Sequence, residues 1–156
     1  MDPSGGLVND SFDLARFLEA QEQRYARVLD ELAAGEKTSH WMWFIFPQLK
    51  GLGVSATARR FGLTGLEEAR AYLAHPLLGA RLRQCTRAVL ALEGRTAHEI
   101  FGSPDDLKLR SCLTLFAQAA GAAPAPQDRL FGAALAKYYR GEPDPLTLRL
   151  LTSSAS

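Results

Sequence analysis

The chain of 156 residues carries 18 basic and 17 acidic side chains, which gives a formal net charge of +1. With 47% hydrophobic and 22% charged residues, its composition is typical of a globular protein with one domain. The near-zero net charge argues against a general attraction to nucleic acid or to an anionic membrane. The N-terminus lacks the basic and apolar regions of a signal peptide, so we expect a cytoplasmic protein. No apolar run reaches the roughly 18 residues that a membrane-spanning helix needs.

Metal and cofactor motifs are missing from the sequence. The two cysteines, Cys85 and Cys112, lie within apolar helical patterns and lack the spacing of metal ligands, so we expect them to be small buried residues. The three histidines are far apart in the chain. Glycine-rich phosphate-binding motifs and the signature motifs of known catalytic sites are also absent. We therefore expect no metal and no cofactor.

Helix signals begin near Asp10. Asp10 or Ser11 can cap a long helix whose apolar residues recur every three or four positions, and Gly35 supplies a stop in the left-handed conformation. We expect residues 1–11 to form a flexible tail before this helix.

The most apolar stretch of the chain is His40–Gln48, with the sequence HWMWFIFPQ, which contains both tryptophans. Large apolar side chains gain roughly 1.5–3 kcal/mol each on burial, so this segment is expected to lie inside the fold. Periodicity does not separate a short strand from a short helix in a continuous apolar run, and both remain open. Gly51 and Gly53 allow the backbone that follows to approach a packing neighbour or a ligand closely.

Capping residues, prolines and glycines divide the rest of the chain into further helices. Two Thr-x-x-Glu pairs, at Thr64–Glu67 and Thr96–Glu99, have the spacing of a capping box, and prolines suit the first position of two helices. The predicted helix starts are Ser55, Thr64, His75, Thr96, Ser103, Asp128 and Asp144. Because no segment alternates with a period of two, we predict an all-α fold. It is a single compact domain over residues 12–151, with seven or eight helices packed around the aromatic segment and a flexible tail at 152–156.

Polar side chains in and after the aromatic segment are candidate functional residues. His40 could act as acid or base, or be a neutral structural histidine at the edge of the core. Trp41 and Trp43 could stack on a ligand or fill the core. Gln48 closes the segment. Cationic side chains that could hold an anion, or lie solvated on a helix surface, follow at Lys50, Arg59 and Arg60.

A second charged group lies at the predicted helix start after Ser103. Its members are Asp105, Asp106, Lys108 and Arg110. The two carboxylates could serve as a base and its orienting group, although helix capping and a routine Asp106–Arg110 pair explain them equally well. Since buried polar groups need partners, we predict that His40 and Gln48 meet this helix start, with Asp105 or Asp106 within reach of His40.

Several motifs together carry a resemblance to a known family. They are SHWxWFxFPQ at residues 39–48, GLG at 51–53, SxxARRFG at 55–62, HPLLGxRL at 75–82 and IFGxPDDxK at 100–108. With these motifs the chain resembles a mostly bacterial family of domains of unknown function over residues 12–151. The resemblance implies an all-helical fold, favours a helix over a strand for residues 40–46, and implies no activity. The DDxK helix start is also loosely similar to helical proteins that act on ADP-ribose-like ligands.

Two functions fit these features. In the first, the protein binds a small anionic or nucleotide-like ligand beside His40–Gln48, with hydrolysis of that ligand left open. His40 or Asp106 would act as acid or base, and the other polar candidates and the tryptophans would bind the ligand. In the second, the protein is a non-catalytic helical module that serves structure or protein interaction. A core needs only volume and hydrophobicity, so the polar residues at both ends of the segment favour ligand binding. Whether the protein is an enzyme, and its oligomeric state, stay open.

Overall fold

The computed structural model describes residues 10–155, so residues 1–9 of the tail predicted for residues 1–11 lie outside the described residues. Within this range the fold is all-α, as predicted. Its ten helices are α1 Ala15–Gln21, α2 Tyr25–Ala34, α3 Met42–Ile45, α4 Ala56–Phe61, α5 Leu66–Ala74, α6 Leu78–Leu90, α7 Ala97–Phe101, α8 Asp105–Ala120, α9 Leu130–Tyr139 and α10 Pro145–Ala155. A single 3-10 turn, Pro126–Asp128, precedes α9. The one β-type contact in the described range is an isolated parallel bridge between Leu49 and Leu63.

The first predicted helix is two helices in the structure, and this break raises the helix count above the predicted seven or eight. The chain leaves ideal helical geometry at Arg24, where φ is −119°. The break lies in a run of exposed polar residues, Glu22–Arg24, which buries no apolar side chain that could hold one continuous helix. Gln21, at the end of α1, is buried and donates a hydrogen bond to the Phe44 carbonyl at 2.8 Å. α2 ends at Gly35 with φ at 74°, as its sequence predicts.

The aromatic segment forms the centre of the core. Its middle is the short helix α3, so the helical alternative is correct for this stretch. Trp41 and Phe46 are almost fully buried and both pack edge-on against Phe101 of α7, with ring centroids 6.0–6.4 Å apart. Because the segment turns through one helical turn, Trp43 lies on the opposite side and is only partly buried. The segment therefore contacts both the core and the surface.

Several predicted helix caps are present, and two differ. Ser55 caps α4, and Thr96 forms the reciprocal capping box with Glu99. At the start of α5 it is Glu68 rather than the residue before it that accepts hydrogen bonds from Thr64, because Glu68 points inward and is buried. α8 begins at Asp105 without a side-chain cap from Ser103.

The longest helix, α8, organises the second half of the fold. It packs against α5, α7, α9 and α10, and eight of its residues are buried. The last helix continues to Ala155, so the stretch from residue 152, predicted to be flexible, is helical through residue 155. None of the helices between residues 10 and 155 is long and apolar enough to cross a bilayer.

Candidate functional site

A buried carboxylate fixes the entry to the aromatic segment. Glu31 of α2 is 8% exposed and accepts hydrogen bonds from the amides of Thr38 and Ser39, the Ser39 hydroxyl and the Trp41 indole N–H, at 2.6–3.1 Å. Arg27 Nε lies 3.1 Å from its second oxygen. Burial alone would raise the pKa of the Glu31 carboxyl, but the hydrogen bonds from Ser39, Thr38 and Trp41 outweigh it and hold the pKa well below its usual range. This network, the Glu31 cluster, orients Trp41 into the core.

A second carboxylate forms ion pairs with two lysines, and each of these lysines lies over one of the two tryptophan rings. Asp105, the first residue of α8, lies 2.7 Å from Lys37 Nζ and 3.0 Å from Lys108 Nζ. Lys37 Nζ lies 5.1 Å from the Trp41 ring centroid, and Lys108 Nζ lies 4.1 Å from that of Trp43. Burial would raise the pKa of Asp105, and the two lysine ammonium groups lower it further than burial raises it. With two cations and one anion, this Lys37–Asp105–Lys108 cluster carries one uncompensated positive charge.

The surface side of Trp43 opens into a cleft of about 380 Å³. We call it the Trp43 cleft, and its walls come from α3, the turn after Gln48, the start of α8 and the start of α10. The lining residues are Trp43, Gln48, Leu52, Gly53, Pro104, Leu107, Lys108, Ser111, Asp144 and Leu146. A Cβ atom on Gly53 would lie 2.7 Å from Ala58 Cβ and 3.2 Å from the Trp43 ring. The glycine is thus needed for packing around Trp43, one of the two roles that its sequence suggests.

Gln48 is the exceptional polar residue of this cleft. Eight polar or charged residues are buried in the described part of the chain, and seven of them have side-chain hydrogen bonds. Gln48 is 7% exposed, yet between residues 10 and 153 no group hydrogen-bonds to its side-chain amide. Such an orphaned amide costs about 1–3 kcal/mol relative to a satisfied one.

Asp144 forms the opposite wall. Its Oδ2 accepts hydrogen bonds from the Ser111 hydroxyl at 3.0 Å and the Thr147 amide at 3.1 Å, and also from the Thr147 hydroxyl. This oxygen therefore caps α10 and ties it to α8. Within the described residues no donor bonds to Oδ1, which leaves one carboxylate oxygen of a cleft-lining residue without a protein partner.

The predicted site residues are only partly brought together. Trp43, Gln48 and Lys108 line the Trp43 cleft. Asp105 lies outside its lining and forms an ion pair with Lys108. Gln48 thus lines the same cleft as the start of α8. His40 does not: it is exposed and lies in a separate depression with Gln23, Arg24, Arg27 and Ser39. The reason is that the Glu31 cluster takes the buried polar contacts at this end of the segment, so His40 needs no partner in the core.

The other candidates have contacts of their own. Asp106 Oδ2 lies 3.4 Å from Nδ1 of His98, not near His40. Trp41 is 2% exposed and belongs to the core. Arg110 donates to the carbonyls of Glu142 and Pro143 and so fastens the loop before α10. Lys50, Arg59 and Arg60 are exposed and lie outside the walls of the Trp43 cleft.

Sequence reasoning missed Ser111 and Asp144. Asp144 has a recognisable local signal, since Asp followed by Pro marks a helix start, but nothing local shows that its second oxygen borders the cleft. No group of three or more His, Cys, Asp or Glu side chains in the described range is arranged to hold a metal ion.

The fold and the cleft define an all-helical, single-domain protein with a polar surface cleft on a buried aromatic segment. Family comparison makes this specific: residues 11–151 match the family described as Protein of unknown function (DUF1810), and the chain belongs to that family. The chain is also similar to the crystal structure of the conserved hypothetical protein Rv1873 from Mycobacterium tuberculosis. The sequences are 54% identical and the TM-score is 0.86, over 92% of this chain and 99% of that one. No curated protein matches the chain. The predicted membership in a family of unknown function is thereby confirmed.

Proposed function

We propose that this is a cytoplasmic bacterial protein that binds a small anionic ligand with a planar portion in the Trp43 cleft. Two free, buried cysteines fit a reducing compartment. Part of the cleft wall comes from two motifs that carry the family resemblance: Trp43 and Gln48 belong to the motif at residues 39–48, and Lys108 belongs to the motif at residues 100–108. The following observations support the choice of site and ligand.

The observation that carries the proposal is that the buried Gln48 amide has no hydrogen-bond partner among the described residues. A buried polar group without a partner is rare in folded proteins, and the few that occur call for an explanation. Gln48 borders an open cleft, so a ligand there can supply both the acceptor and the donor that its amide lacks. A side chain kept for core packing alone would be apolar at this position.

Charge at the Lys108 side of the cleft supports an anionic group on the ligand there, while the opposite wall carries the Asp144 carboxylate. Lys108 lines the cleft, and its cluster with Asp105 and Lys37 has one positive charge in excess. Asp105 and the Trp43 ring hold the Lys108 ammonium in place before any ligand arrives, which reduces the entropy lost on binding. Trp43, partly exposed beside this ammonium, offers an aromatic surface to a planar group.

Catalysis is less well supported than binding. Of the two residues predicted to act as acid or base, His40 lies in another depression and Asp106 pairs with His98. Neither lines the Trp43 cleft. We therefore assign a binding function to the cleft and no reaction.

The test is a titration of tryptophan fluorescence with nucleoside monophosphates, ribose 5-phosphate and inorganic phosphate. Trp41 and Trp43 are the two tryptophans, so the response should disappear in Trp43→Phe. Gln48→Leu and Lys108→Met should each weaken binding about tenfold or more, because each removes a buried or charged partner of the ligand. Lys50→Met, an exposed lysine outside the cleft, is the matched control and should bind like the parent.

Gln48→Leu has a second signature. Because the amide lacks a protein partner, removing it should leave thermal stability unchanged or raise it while binding is lost. Gln118→Leu, at an exposed position of α8, controls for the added apolar side chain. A loss of more than about 1 kcal/mol in Gln48→Leu would mean that the amide is satisfied without a ligand. That outcome, or equal binding by Lys108→Met and the parent, would refute the proposal.

A protein partner is the second candidate, and one observation favours it. The rim of the same cleft carries Leu107 and Leu146, 58% and 42% exposed, and the residue after Gly53 is Val54, 82% exposed. Exposed apolar residues gathered at one place mark interaction surfaces. Under this alternative, Leu107→Ser would abolish association in a sedimentation experiment, and none of the small anions would change the fluorescence.

A further inference from the structure

Two hydrogen-bonding groups in the walls of the Trp43 cleft, the Gln48 side-chain amide and Asp144 Oδ1, have no partner among the described residues and indicate the chemistry of the ligand. Resting on the proposed function, we infer that the ligand is an amino-substituted purine mononucleotide. Its exocyclic amino group donates one hydrogen to Asp144 Oδ1 and the other to the Gln48 side-chain oxygen.

Asp144 requires a donor on the ligand. Its Oδ2 is committed to Ser111 and Thr147, and this fixes the carboxylate in the wall. Thr147 is fully buried, so the anchor is rigid. The remaining oxygen, Oδ1, is an acceptor only, since an ionised carboxylate has no proton to donate. Asp144 is only partly buried, so a ligand that covers Oδ1 and excludes water from it must place an N–H or O–H group against this wall.

The Gln48 side chain restricts which ring the ligand can carry. Its amide has a carbonyl oxygen and an NH2 group side by side, and it can pair twice with a ring that carries an amino group next to an acceptor nitrogen. The edge of adenine, with its amino group beside N7, is the known partner of glutamine in this geometry. The amino group has two hydrogens, so it can satisfy Gln48 with one and Asp144 with the other.

The volume of the cleft and the charge at Lys108 indicate the rest of the ligand. The cleft holds about 380 Å³, near the lower end of the roughly 300–1,000 Å³ found for small-molecule pockets. That volume suits one nucleotide better than two. A purine ring can pack against the exposed part of the Trp43 ring, next to the Lys108 ammonium that lies over that ring. The excess positive charge at Lys108 matches a phosphate on the same ligand.

The experiment compares adenosine and inosine monophosphate, which differ at ring position 6 by an amino group and a carbonyl oxygen. Binding is measured by Trp43 fluorescence and calorimetry. The parent protein should prefer adenosine monophosphate by about tenfold or more, because inosine monophosphate places an acceptor against the acceptor Oδ1.

Asp144→Asn makes the sharper test. Asparagine is as good a helix cap as aspartate, so its oxygen keeps the contacts to Thr147 and Ser111 and its NH2 group takes the place of Oδ1. A donor now faces the ligand, and the preference should reverse in favour of inosine monophosphate. Asp30→Asn, at an exposed position of α2, is the control and should keep the parent's preference.

The outcomes separate this inference from the proposed function. Equal binding of both nucleotides by the parent, or a preference for inosine monophosphate, overturns the inference; if Gln48→Leu and Lys108→Met still weaken binding, the proposed function stands. A parent preference for adenosine monophosphate that Asp144→Asn does not alter also overturns the role of Asp144. If Asp144→Asn does not fold, the ratio of the parent's dissociation constants for the two nucleotides still tests the inference. Absence of binding by either nucleotide or by the other small anions overturns both.

Discussion

Replacement of Glu31 by alanine should be among the most damaging single changes away from the cleft. The change removes the acceptor for the indole N–H of Trp41 and for the amides of Thr38 and Ser39. The indole is buried, and an unsatisfied buried donor costs about 1–3 kcal/mol. The two amides are nearer the surface, where water replaces part of the loss, so about 1 kcal/mol for both together is a reasonable figure. We expect a total loss of about 3 kcal/mol, a large part of a typical stability of about 5–15 kcal/mol.

The assay is denaturant unfolding followed by circular dichroism, with midpoint and slope fitted separately. Glu19→Ala, an exposed glutamate of α1, is the control and should change stability by less than about 0.5 kcal/mol. A Glu31→Ala protein within about 0.5 kcal/mol of the parent would refute the reading of this cluster as a structural anchor.

The same residue predicts a dependence on pH. The folded protein holds the pKa of Glu31 below its ordinary value of 4.5, so the unfolded chain binds the proton first. The contribution of Glu31 is therefore fully present above that ordinary value and is lost as pH falls below it toward the folded pKa. The difference in unfolding free energy between the parent and Glu31→Gln should be constant near neutral pH and shrink below 4.5. A difference that grows on acidification would contradict the depressed pKa.

Four further substitutions test side-chain packing and helix stability. Trp41→Ala should cost about 3–5 kcal/mol, and Trp43→Ala clearly less because its ring is partly exposed; equal melting temperatures for the two would argue against Trp41 as the centre of the core. Gly79→Ala should destabilise by about 1–3 kcal/mol in the same assay, because its Cβ would lie 2.1 Å from the Leu73 carbonyl oxygen and force α5 and α6 apart. Gly132→Ala, in α9 with open space around its Cβ, should instead stabilise by about 0.5–1 kcal/mol; a loss there would show that the helix needs the glycine.

Features set by neighbouring residues were predictable from the sequence. The cap at Ser55, the capping box of Thr96 and Glu99 and the left-handed stop at Gly35 each depend on contacts within five residues. Their signals are therefore visible in a short window of sequence. The all-α class follows from the same local rules, and the burial of the aromatic segment follows from its apolar character.

Features set by distant residues were not predictable. Asp105 pairs with Lys37, which lies 68 positions earlier, and a single sequence contains no signal for that contact. The prediction for His40 failed for a related reason. The buried polar partner at that end of the segment is Glu31, reached through Trp41, and the helical pattern of α2 showed Glu31 only as an ordinary charged residue. Gln48 was singled out as a polar residue at the end of an apolar run; the structure buries it, but the partner that this reasoning expected is absent among the described residues.

The carboxylate of Asp105 has a consequence that reaches beyond its local geometry. One oxygen contacts the lysine over Trp41 in the core, and the other contacts the lysine over Trp43 in the cleft. An anion bound to the pre-positioned Lys108 ammonium would weaken its attraction to Asp105, and the ion pair of Asp105 with Lys37 above Trp41 would then become stronger. Two equilibria that share a group influence each other equally in both directions. Under the proposed function, replacement of Lys37 should therefore alter affinity at a cleft that Lys37 does not line, and binding in the cleft should change the surroundings of the buried Trp41.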